Sequence, residues 1–108
     1  MKVKELAEKL GLSVLCEGDL EKPCEGCYSG DLLSWVMSKV KENDVWLTVM
    51  GNINAIAVAV LTDCACIVLT ENAALDEDAQ KRAVQQGVTV LRSEKNAYEL
   101  SVLISKLI

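Results

Sequence analysis

Val3, Leu6, Ala7 and Leu10 fall at i, i+3, i+4 and i+7, the spacing of one helix face, and Gly11 follows where a helix C-terminus favours glycine. Val14-Leu15-Cys16 then reads as a short strand and Glu17-Gly18-Asp19 as a turn. Glu17 to Gly30 is the least regular stretch, with three of the six glycines and the one proline, Pro23. A helix is expected from Asp31, an acceptable N-cap, with Leu32, Leu33, Val36, Met37 and Val40 on one side and Trp35 pointing away from them. Val45 to Met50 is a β-rich apolar run of strand length, broken at Gly51-Asn52. Ile53 to Leu61 alternates in a way that fits a strand, but its three alanines favour a buried helix. Cys66-Ile67-Val68-Leu69 is a further strand. Asp76-Glu77-Asp78 opens a helix with negative charge at its positive end, and Gly87 closes it. Val88 to Leu91 is the last strand. Asn96 with Glu99 forms a capping-box pattern before a helix with Leu100, Leu103, Ile104 and Leu107 on one face.

Residues 45 to 108 thus repeat strand then helix three times. Such alternation implies parallel strands joined by right-handed crossovers, with helices covering the sheet. The continuous apolar strands agree, because parallel strands are buried on both faces. The expectation is a compact layered α/β sandwich with a mainly parallel sheet, formed as a single domain over residues 1–108.

Composition narrows the function. The 108 residues contain no histidine, which removes the commonest general base, proton shuttle and metal ligand. Eleven basic against sixteen acidic residues give a net charge of −5, which argues against nucleic acid as a partner. No apolar run approaches the ~20 residues of a membrane span, and the first ten residues do not resemble a signal peptide. Five cysteines, an odd number without export signals, suggest reduced thiols in a cytoplasmic protein.

The order of segments resembles the DRTGG domain family, modules related to the N-terminal domain of HPr kinase. The resemblance covers essentially the whole chain. It rests on Met1 to Gly11, on Gly30-Asp31-Leu32-Leu33-Ser34, on Ala57 to Leu61, on Gly87 to Leu91, and on Asn96-Ala97-Tyr98-Glu99. The family signature, of the form Asp-Arg-x-x-x-Gly-Gly, is degraded: Glu21-Lys22-Pro23-Cys24-Glu25-Gly26-Cys27 is aligned with it. Lysine in place of arginine loses the bidentate fork for phosphate or carboxylate. Lys22, Gly26 and Asp31 are the residues the resemblance places in a signature loop. It implies no catalysis, and neither G-x-x-x-x-G-K-[ST] nor G-x-G-x-x-G is present, so a kinase activity is excluded.

Three groups of residues could carry chemistry. Thr48, Gly51, Asn52, Asn54, Thr70 and Arg92 lie at the C-terminal ends of expected parallel strands, where open α/β sheets place ligands. There a helix N-terminus and Arg92 suit an anion; the plainer alternatives are that Asn52 serves simply as a helix cap and that Arg92 pairs with Glu94. Cys24-Glu25-Gly26-Cys27 is a C-x-x-C that could hold zinc or an iron–sulfur cluster, yet Cys64-Ala65-Cys66 is a poor second pair and buried cysteine is often plain core. Trp35, with Tyr28 and the adjoining Pro23 and Cys24, suggests an association surface; the alternative is that the Glu17–Gly30 segment folds over Trp35.

The reading is a non-catalytic regulatory or ligand-binding module without a cofactor, acting as a homodimer or on a protein partner and taking a small anionic or nucleotide ligand. The alternative is a thiol-based metal or iron–sulfur accessory protein using Cys24 and Cys27.

Overall fold

The computed structural model describes residues Met1–Ile108. Five strands and five helices follow one another along it, alternating from β2 onward: α1 (Val3–Leu10), β1 (Ser13–Cys16), β2 (Gly26–Ser29), α2 (Leu33–Lys39), β3 (Asp44–Thr48), α3 (Ile53–Thr62), β4 (Cys66–Leu69), α4 (Glu77–Gln86), β5 (Val90–Arg92) and α5 (Ala97–Ser105). One five-stranded sheet has the order β1-β5-β4-β3-β2. Its β2–β3, β3–β4 and β4–β5 pairs are parallel, and β1 closes one edge antiparallel to β5.

The sheet separates two apolar cores. Alternate strand residues Val45, Leu47, Cys66, Val68 and Leu91 pack with α1 and α5 through Val3, Leu6, Leu100 and Ile104. Trp46, Ile67, Leu69 and Val90 face the other way, against α2, α3 and α4 through Val36, Ile56, Ala59, Ala79 and Ala83. The expected mainly parallel layered sandwich is the observed fold.

Local signals hold where the expected chemistry is local. Gly11 and Gly87 end α1 and α4 with φ of 61° and 67°. Asn52 Oδ1 accepts from Ala55 N at 2.9 Å at the start of α3. Asn96 and Glu99 complete the capping box of α5.

Four details depart from the sequence reading. The irregular Glu17–Gly30 stretch contributes edge strand β2, concealed by its glycine and its exposed Cys27 and Ser29. The last strand starts later, at Val90. Asp31 does not cap α2: the N-cap is Leu32, without a side-chain bond, and Asp31 is bonded to the end of β3 instead. Finally, α2 buries only Val36 and caps with buried Val40, while Leu32 and Met37 are exposed, because this helix covers the margin of the sheet.

Candidate functional site

Strands β2, β3, β4 and β5 all end on the same edge of the sheet, and β1 begins there because Ser13 pairs with Arg92. The loops at this edge therefore converge, as expected for ligand sites of open α/β sheets. Thr48, Gly51, Asn52, Thr70 and Arg92 all lie along it, and so does Asp31, but they form no single pocket.

The β3 end is occupied by structural bonds. The Thr48 hydroxyl, 2 % exposed, donates to Asp31 Oδ1 at 2.8 Å and accepts from Met50 N at 3.1 Å. Val49 N donates to the same Asp31 oxygen at 2.9 Å. Asn52 is used as a helix cap. Gly51 faces protein rather than open space: a Cβ there would overlap the Ala74 carbonyl oxygen and lie 2.9 Å from its carbon. Asp76 N also donates to Gly51 O at 2.8 Å. Asn54 is exposed in the first turn of α3, with no side-chain hydrogen bond.

The β4 and β5 ends are different. Arg92 is half-buried and forms no ion pair; the two ion pairs of the chain are Lys2–Glu21 and Lys22–Asp63. The anticipated Arg92–Glu94 pairing is thus not formed. Arg92 lines a cavity of about 450 Å3 together with Ser13, Asn72, Ser93, Glu94 and Lys95. Its walls are fixed by backbone bonds between two loops: Glu71 N to Lys95 O at 2.9 Å and Asn72 N to Ser93 O at 2.8 Å. Lys95 N additionally donates to Ser93 Oγ at 3.1 Å. Glu71 and Asn72 both have φ of 55°, consecutive left-handed residues without a glycine. Nothing in the Glu71 side chain announces that backbone.

The signature-loop residues are divided. Lys22, before β2, and Gly26, its first residue, lie at the opposite edge, whereas Asp31 lies at the C-terminal edge after it. The Lys22 side chain is paired with Asp63 at 3.0 Å, and Gly26 is part of β2 itself.

All five cysteines are free thiols, and no three cysteine or carboxylate groups are placed to share a metal ion. Cys24 and Cys66 belong to the α1/α5 core, and Cys16 and Cys64 to the other. Burial pushes the Cys24 and Cys64 thiols up to about 11. Cys27 is exposed as a residue, yet desolvation of its thiol and then the Asp44 carboxylate raise it likewise to about 11. Cys66, fully enclosed, is pushed well above its ordinary value by burial. Thiols held protonated in this way are poor nucleophiles near neutral pH.

Trp35 is 59 % exposed, stacked only by Lys39, whose Nζ lies 5.8 Å from the ring centroid. The Glu17–Gly30 segment does not fold over it. Nor does that segment extend one surface with it: Tyr28 is half-buried against the α2–α4 core, while Cys24 is buried on the other face of the sheet. No helix is long and apolar enough to cross a membrane.

Taken together, fold and edge define an α/β sandwich with a polar ligand-sized cavity. The profile of the DRTGG domain matches residues 5–107, and the chain belongs to that family. A solved structure with a similar fold is that of the CBS and DRTGG domains of the regulatory region of Clostridium perfringens pyrophosphatase, complexed with its activator diadenosine tetraphosphate. The two superpose with a TM-score of 0.77 at 11% identity, over 95% of this chain and 45% of the other. The chain therefore spans less than half the length of that neighbour. A search of curated proteins finds none that matches the sequence.

Proposed function

We propose that this DRTGG domain is a non-catalytic regulatory module that binds a small anionic or nucleotide ligand at the C-terminal edge of its sheet. The observation that carries this reading is the family match over residues 5–107, joined to a fold neighbour that is itself part of a regulatory region bound to a nucleotide activator. The absence of histidine from the sequence and the raised thiols support a role without nucleophilic chemistry. Exposed Trp35, Leu32 and Met37 on α2 support transmission through a homodimer or a protein partner. Five unpaired thiols support a reducing, cytoplasmic compartment.

The backbone also supports a different position for the family signature. Two successive glycines are favoured where two successive residues take positive φ, and that occurs after Thr70, at Glu71 and Asn72. Gly26 and Cys27, by contrast, are paired within strand β2. Glu71-Asn72 is therefore the better structural counterpart of the signature's Gly-Gly, with Glu71 and Asn72 holding the left-handed positions.

The test is a thermal-shift and calorimetric titration with diadenosine tetraphosphate, adenine nucleotides and phosphate. A ligand binding only the folded state stabilises it by about 2.7 kcal/mol at a hundredfold excess over Kd, a shift of roughly 10 °C or more for a domain of this size. Absence of any shift across the panel would refute the ligand-binding reading.

A further inference from the structure

At the C-terminal edge the side chains of Thr48, Asp31 and Asn52 around β3 are spent on internal bonds, whereas those of Arg92 and Lys95 at β5 and beyond it form no ion pair. Resting on the proposal that this domain binds a ligand, we infer that the ligand is held by Arg92 and Lys95 in the cavity between β5, the 70–73 turn and the start of β1, and that it is a phosphorylated polyol of the sugar-phosphate class. This places the site two strands away from Asn52, roughly 10 Å by the usual strand spacing.

Charge argues for the anion. The chain carries −5, yet this cavity presents two cations against one carboxylate, Glu94. Arg92 has no internal carboxylate partner, although sixteen acidic residues are available in the chain. A guanidinium left without an internal carboxylate is a fork for a phosphate's oxygens. The N–H groups opening α5 are not what attracts the anion, because Asn96 already serves that end as its cap.

Shape and lining argue for the class. About 450 Å3 lies within the range of small-molecule sites. Of the eight lining residues one is hydrophobic and none is aromatic, so a base would find no stacking surface. Asn72, Ser13 and Glu94 offer an amide, a hydroxyl and a carboxylate, a set that hydrogen-bonds hydroxyl groups. Glu94 also repels a phosphate and so orients it toward the Arg92 and Lys95 end. The 71–72 and 93–95 loops are bonded to one another before any ligand arrives, which limits the ordering needed on binding.

Calorimetry on the whole chain with ribose 5-phosphate, AMP and inorganic phosphate separates the possibilities. Ribose 5-phosphate is expected to bind, with AMP no tighter and phosphate weaker. Arg92→Gln should weaken ribose 5-phosphate by about tenfold or more, as for loss of a charged hydrogen bond. Lys95→Ala, an exposed position that leaves folding intact, should weaken it severalfold, and Asn54→Ala should leave it unchanged. AMP binding much more tightly than ribose 5-phosphate would overturn the ligand class. Binding lost in Asn54→Ala but kept in Arg92→Gln and Lys95→Ala would overturn the location. Diadenosine tetraphosphate binding that ignores Arg92 and Lys95, with no sugar phosphate bound at millimolar concentration, would sink this inference and leave the regulatory reading standing. Silence of every compound would sink both.

Discussion

A methyl group at Gly51 has no space to occupy, because the Ala74 carbonyl lies where its Cβ would be. The Gly51 backbone is not left-handed, so the glycine is required for close approach of two loops rather than for its φ. Gly51→Ala should therefore cost roughly 1–3 kcal/mol by overpacking, measured by urea unfolding; a loss under about 0.5 kcal/mol would refute the contact. Glu71 is the converse. Its φ of 55° is strained for a residue with a Cβ, so Glu71→Gly should stabilise by about 0.5–1 kcal/mol despite loosening the unfolded chain. Cys24 and Cys64 set a third expectation at this scale. Burial raises each thiol from an ordinary 9.0 to about 11, so the folded state keeps protons that the unfolded state releases. Their contribution to stability is intact below pH 9 and is lost as pH rises from about 9 to 11. The melting temperature should fall across that window, and Cys64→Ala should flatten part of the fall; an unchanged slope would mean the thiols titrate normally.

At the scale of elements, α2 is the informative case. Its seven residues bury Val36 and leave Trp35 exposed beneath a lysine. Trp35→Ala should change stability by no more than about 0.5 kcal/mol, the usual range for an exposed site, and it should shift any dimer toward monomer in sedimentation. Unfolding of the variant would return Trp35 to the core, and a parent chain that stays monomeric would remove α2 as an interface. The same helix shows where a sequence stops being legible. Caps such as Asn96–Glu99 and Gly87 are decided within a few residues, and the three strand–helix repeats from β3 onward have strong periods, so both were readable. The stripe Leu32, Leu33, Val36, Met37 and Val40 was readable as a period but not as burial, because burial depends on how much sheet lies beneath a helix. Strand β2 escaped because an edge strand with Gly26, exposed Cys27 and exposed Ser29 carries little apolar pattern. The candidate site was legible as an edge, since parallel strands must end together. Its centre was not: whether Asn52 is spent as a cap, or Arg92 is left unpaired, follows from contacts between segments far apart in the chain.

For the whole molecule, the sheet is both the wall between two cores and the frame of the ligand edge. Successive residues of β3 serve opposite sides: Val45 and Leu47 pack toward α1 and α5, and Trp46 packs toward α2, α3 and α4. A strand cannot release one side and hold the other, because its hydrogen bonds carry both sets of side chains. The loops that follow β4 and β5, carrying Asn72 and Lys95, are bonded to one another, and Arg92 ends β5 itself, so the cavity's shape is tied to the same sheet. The two cores are therefore expected to unfold together. Ile56→Ala on α3 and Leu100→Ala on α5 each truncate a fully buried side chain, on opposite faces, and each should cost about 2–5 kcal/mol. Both should move one common transition, with coincident curves from Trp46 fluorescence and from helical circular dichroism after Trp35 is replaced by Phe to leave a single reporter. Because Trp46 belongs to the α3 side, independent layers would give a different result: Leu100→Ala would lower part of the helical signal at a denaturant concentration where the fluorescence of buried Trp46 was still native.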